Sequence, residues 1–163
     1  MSRTIVLVVA LIVAAVIVLA TSAALPTTVA THFAWGGHAN GFMSRAGYQL
    51  FYCVLLVFMA LVIYGSLAWL PARFPRMLNL PNRDYWLESS RAESSLAALR
   101  AMGLALALLA VAFLVAVHLL VVEANGRAPP VLNEGVFVGL LGAFLALLAA
   151  LIVSMYARFR SPR

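Results

Sequence analysis

Lysine is absent from this chain, acidic residues number only five, and cysteine occurs once. All eleven basic residues are therefore arginine, and with so much Ala and Leu that bias points to a GC-rich genome more than to a mechanism. The lone Cys53 lies in an apolar run, which excludes an intramolecular disulfide and any cysteine-based zinc motif. No base stands near it, so it reads as a small buried hydrophobe rather than a nucleophile. No Asp or Glu interrupts the four longest apolar runs, whereas proton and ion pathways place ionisable groups at membrane depth. That argues against a coupled transporter or pump. His118 stands alone within such a run, so a b-type haem would lack paired ligands.

What is present in abundance is apolar surface. The chain has 163 residues, is 65% hydrophobic and has a mean hydropathy of +1.04, against roughly 45–50% apolar residues in soluble domains. About 30 Å of hydrocarbon takes roughly 20 helical residues to cross. Four runs meet that length: Thr4–Leu25, Gly47–Leu70, Ala97–Val122 and Gly135–Ala157. Lipid satisfies no bare peptide group, so continuous apolar runs must be helices; barrel strands would alternate polar and apolar. The expected fold is an all-α membrane protein, a single domain over 1–163 forming a four-transmembrane-helix bundle. Helices fall at about 4–25, 47–70, 91–122 and 135–157, with outer loops 26–46 and 123–134 and an inner loop 71–90. Thr21-Ser22-Ala23-Ala24 resembles a signal cleavage site, but the apolar core before it is longer than a signal's, so the run reads as a retained anchor.

Arginine placement orients the bundle. If the spans alternate, Arg3, Arg73, Arg76, Arg83, Arg91, Arg100, Arg158, Arg160 and Arg163 share one side, leaving Arg45 and Arg127 on the other. The positive-inside rule then puts both N and C termini and the 71–90 loop in the cytoplasm. The two outer arginines are balanced by Glu123 and Glu134, so the entire net charge of +6 faces inward. Anionic lipids of that leaflet are the expected partner, and nucleic acid is not.

In the inner loop, Pro71, Pro75 and Pro81 precede Asn82-Arg83-Asp84-Tyr85-Trp86-Leu87. The aromatic pair reads as an interfacial anchor, with a docking surface as the alternative. Ser90-Arg91-Ala92-Glu93 fits a capping box that would start the third helix at Arg91. Small residues four apart, at Gly135 and Gly139, Gly142 and Ala146, and Ala97, Ala101 and Ala105, predict close helix packing inside the bundle.

The outer loop from Pro26 to Arg45 holds Gly36-Gly37 and Asn40-Gly41, both turn signals, among several aromatics. Its His32 and His38, with His118 and Glu123 at the same side, make a ligand set of the type zinc or copper takes. The spacing weighs against a site. A hairpin turning at Gly36-Gly37 sends His32 and His38 to opposite faces, and His118 and Glu123 diverge by about 140° around a helix. The favoured reading is that these histidines bond loop backbone and water, with proton sensing as a further role open to them. No cofactor is expected, and a divalent metal is the alternative.

Leu25-Pro26, His32-Phe33, Gly37, Asn40-Gly41 and Ser44-Arg45, set between two apolar helices, resemble a small membrane domain of unknown function. That domain forms the N-terminal part of the SdpI-like proteins, the immunity family for the sporulation-delay toxin, and the match spans about residues 15 to 60. Leu80-Pro81-Asn82-Arg83-Asp84-Tyr85-Trp86-Leu87 is also similar to small bacterial membrane proteins carrying the same domain. The resemblance implies an outer surface marked by His32, Phe33, Gly37, Asn40, Gly41 and Arg45, and a protein that sequesters or senses a partner. The function expected is therefore binding, sensing or an immunity-like role through the outer loop, not catalysis. A protein partner would be met through the outer loop or helix faces, and two rivals stand beside the reading: a small structural or accessory subunit of a larger membrane complex, burying the Tyr85-Trp86 loop or the small-residue helix faces against another chain, and a metal-binding membrane protein using the outer histidines.

Overall fold

The computed structural model describes residues 2–160; Met1 and the inner arginine Arg163 lie outside the described residues. Four helices are long and apolar enough to cross a membrane, which makes this a multi-pass membrane protein. They are α1 (Arg3–Ser22), α2 (Arg45–Ala68), α5 (Ala92–Asn125) and α6 (Glu134–Phe159). Between α1 and α2 lies a hairpin of β1 (Thr28–Phe33) and β2 (Ala39–Ser44). Between α2 and α5 lie two single-turn helices, α3 (Leu70–Arg73) and α4 (Arg83–Trp86).

α1 reads RTIVLVVALIVAAVIVLATS, rich in β-branched residues that favour strands in water. In lipid the requirement that every N–H and C=O bond within its own segment overrides that preference. The first orphan amides are met by local side chains: Ser2 Oγ accepts from Ile5 N–H, Ser44 Oγ from Gly47 N–H, and Asn133 Oδ1 from Val136 N–H. α5 departs from the expected capping box. It starts at Ala92 with Arg91 as N-cap, and no side chain caps it. The carbonyl of Glu88 accepts from both Arg91 and Ala92 N–H at 2.8 Å, so a turn already in place holds Ser90 away from the capping position.

At 34 residues α5 is about 51 Å long, well beyond the hydrocarbon core, and it forms the axis of the bundle. α1, α2 and α6 all pack on it. The buried stripe of α2 is Tyr48, Tyr52, Leu56 and Ala60, and it shares one core cluster with Ala107 and Val111 of α5. A methyl at Gly103 would stand 3.0 Å from Leu67 Cβ, so this glycine sets the approach of α2 to α5.

Three of the small residues singled out in the sequence do not serve that purpose. Built methyls at Gly139 and Gly142 meet nothing within 4 Å, and Ala101 is exposed. α6 touches the bundle along one side of α5, with Phe113 stacked on Phe144 at 4.3 Å, and no residue of its most apolar 18-residue window is buried. Packing chose Gly103 and Ala107 instead because they lie on the α5 face directed at α2.

The hairpin is the departure from helix within outer loop 26–46. Thr28 pairs with Ser44, Val29 with Met43 and Ala30 with Phe42; the register then shifts so that His32 faces Gly41 and Phe33 faces Ala39. Gly36 and Gly37 make the turn with φ of +86° and +77°, a region open to glycine at little steric cost.

Candidate functional site

Beneath the hairpin, at the end of the bundle that carries it, three helices converge on His118. Its side chain is fully buried. Thr21 of α1 gives its hydroxyl proton to Ile17 O at 2.7 Å, so its oxygen can only accept from His118 Nε2, also at 2.7 Å. In the neutral ring that fixes the proton on Nε2 and leaves Nδ1 to accept from Tyr48 Oη–H at 2.7 Å. The Tyr48 and Tyr52 rings flank the imidazole with centroids 5.6 and 5.2 Å away, and Tyr52 donates to Leu114 O at 2.7 Å. Beside them Gln49 Nε2 donates to Ser22 Oγ. Among the described residues, every buried side-chain N or O has a partner. The cluster is therefore a closed polar lock joining α1, α2 and α5, and not an open binding valence.

Above the lock, the hairpin is held from several directions. Asn125 of α5 matters most: its Oδ1 accepts from Ala30 N–H at 2.8 Å and its Nδ2 donates to Ala30 O at 2.9 Å. Ala30 lies in β1 with its amide and carbonyl turned away from β2, so the Asn125 carboxamide completes the open strand edge as a third strand would. Arg45 donates to Ala23 O and Leu25 O, both at 2.9 Å, satisfying carbonyls at the end of α1 that the helix leaves free. On the other side Leu132 N–H donates to Gly37 O at 2.9 Å, and Gly36 N–H donates to Glu134 Oε2 at 3.2 Å. The turn is thus bonded to the start of α6.

The residues marked by the family resemblance gather in this hairpin. His32 Nδ1 meets Asn40 Oδ1 at 2.5 Å across the two strands. A methyl at Gly41 would come within 2.7 Å of His32 Cβ, so the glycine makes room for the histidine. Gly37 backs directly onto Leu132, Phe33 packs against the core, and Arg45 caps α1. The tip presents Trp35, which is 91% exposed, with Phe42 and His38 also exposed.

The proposed metal ligands are dispersed. His118 is engaged by Thr21 and Tyr48, His32 by Asn40, and Glu123 by an ion pair with Arg127, while His38 joins Val131 through backbone bridging. Among the described residues, no three His, Cys, Asp or Glu side chains stand close enough to hold one ion.

At the opposite end the 71–90 loop folds onto α6. Trp86 Nε1 donates to Phe159 O at 2.9 Å, its ring meets Phe159 edge-on at 5.5 Å, and Asn82 Nδ2 donates to Arg160 O. Arg83 pairs with Asp84, and Arg91 pairs with Glu88 while its guanidinium lies 3.9 Å above the Tyr85 ring. Sequence inspection flagged the aromatic pair without indicating that α6 of the same chain would receive it.

Fold and site together define a class: a multi-pass membrane protein with a polar lock under a pinned hairpin. No protein-family model, curated protein or solved structure matches the chain, so the class is read from its own residues.

Proposed function

We propose that this protein is a bacterial inner-membrane binding or sensing protein, not an enzyme, that engages a partner through the outer hairpin. The observation that carries the reading is Trp35, 91% exposed at the tip of a turn bonded to both Leu132 and Glu134. Tryptophan is a preferred anchor of recognition surfaces, and a turn fixed in advance loses little freedom when a partner binds. The resemblance to immunity proteins gives the reading its specific form, sequestration of a membrane-active peptide or protein at the outer face. Arginine distribution supports placing both termini in the cytoplasm, with the hairpin outside.

The test is a photo-crosslinking amino acid introduced in living cells at Trp35, His32 or Phe42, with lipid-facing Val54 as the background position. A discrete protein adduct from the hairpin positions and none from Val54 is the expected result. Adducts to lipid alone from all four positions would remove the proposal.

A second reading is favoured by α6, whose apolar surface and open Gly139 and Gly142 lie uncovered. An accessory subunit of a larger complex would use that face. Mass spectrometry of proteins co-eluting in mild detergent distinguishes the two, because a stoichiometric partner lost on Gly142→Leu but kept on Trp35→Ala supports the subunit.

A further inference from the structure

At the arginine-rich end, an open groove of about 560 Å³ runs along α5, with Arg3 of α1 and Leu151 and Arg158 of α6 at its sides. Its floor is Ala97, Ala101 and Ala105 of α5, and Leu151 lines the α6 wall. Those alanines span about 12 Å of helix, most of one leaflet of a 30 Å hydrocarbon core. Arg3 of α1 and Arg158 of α6 both line the groove. Among the described residues neither is in an ion pair; the pairs formed are Arg83 with Asp84, Arg91 with Glu88 and Arg127 with Glu123. The groove therefore combines a smooth apolar trough with two uncompensated cations contributed by different helices.

We propose that this groove binds an anionic phospholipid, one acyl chain along the alanine floor and the phosphate between Arg3 and Arg158. Charge decides the occupant. A second copy seated on this face would bring its own Arg3 and Arg158 to the same end, gathering four like charges where a phosphate supplies the opposite sign. A zwitterionic lipid fits the trough but leaves the pair of guanidinium groups without a net counter-charge. Exposed Ala101 acquires a role there: a larger side chain would fill the space an acyl chain needs.

The full-length protein in detergent is titrated with dioleoyl phosphatidylglycerol, dioleoyl phosphatidylcholine or inorganic phosphate, and bound lipid is read by native mass spectrometry. Phosphatidylglycerol is expected to bind about thirtyfold more tightly than phosphatidylcholine, about fivefold for each arginine near the surface. Arg3→Gln with Arg158→Gln brings the two lipids to parity, whereas Arg73→Gln with Arg76→Gln, an equal change of charge at the same end, preserves the preference. Ala101→Leu, at an exposed position that leaves the core intact, weakens both lipids. Equal wild-type affinity for the two lipids, an equal loss in the Arg73/Arg76 pair, or displacement of the lipid by inorganic phosphate alone each overturns the proposal. So does an Ala101→Leu variant that loses self-association while still binding phosphatidylglycerol as the wild type does.

Discussion

Replacing Asn125 tests the claim that one side chain docks the hairpin. Its carboxamide satisfies both backbone groups of Ala30, a residue with no exposed surface, so Asn125→Ala orphans a buried N–H and a buried C=O together. Each unsatisfied group costs about 1–3 kcal/mol, which sums to roughly 2–6 kcal/mol for the docked hairpin. Water admitted into the space left by the amide moves the loss toward the lower bound. At about 2 kcal/mol, opening of β1 is about thirtyfold more frequent. Hydrogen exchange of residues 28–33 in lipid nanodiscs reads that opening directly. Asn125→Asp sharpens the test: the carboxylate still accepts from Ala30 N–H but sets an oxygen against Ala30 O. Protection should fall at neutral pH and recover in acid, after correction for intrinsic exchange rates, because the protonated carboxyl can donate again. Exchange within twofold of wild type in Asn125→Ala would show that the strand edge is satisfied by something else.

Three further outcomes follow from the same geometry. Tyr48→Phe and Thr21→Val each strip one partner from the buried His118 ring and should lower thermal stability in detergent by about 1–3 kcal/mol, with the double variant less than additive because both act on one ring. Gly37→Ala forces a methyl onto the Leu132 carbonyl at a φ of +77°, so the turn should detach from α6 and a protease should cut near Gly36 several-fold faster than in wild type. Gly142→Leu should leave the thermal stability of the isolated chain within about 0.5 kcal/mol of wild type, since nothing lies within 4 Å; a larger loss would mean that α6 packs inside the bundle after all.

The spans were legible because lipid imposes one rule on every apolar run, and that rule needs no knowledge of neighbours. Their ends were less so. α5 runs on to Asn125, past the apolar limit at Val122, because Glu123 and Arg127 pair at its outer end and Asn125 has a strand to hold. The turn at Gly36-Gly37 was visible in the dipeptide, but the strands beside it mix polar and apolar residues and carry register shifts that hide the period. The lock was illegible for a different reason: Thr21 and His118 are 97 residues apart, and Ala30 and Asn125 are 95 apart, so no local pattern links them. The histidines had been expected to face loop and water; His118 instead sits among three helices, because two hydroxyls and two tyrosine rings replace the water it gives up. Small-residue spacing misled, since it states what a helix face permits and not which face a neighbour occupies.

α6 is grasped at its two extremities, by the Trp86 indole on Phe159 at one and by the glycine turn against Leu132 at the other, while between them it rests on α5 along one side. The loop bearing Trp86 and the turn bearing Trp35 are thereby fastened to opposite ends of one helix, although about fifty residues separate them in the chain.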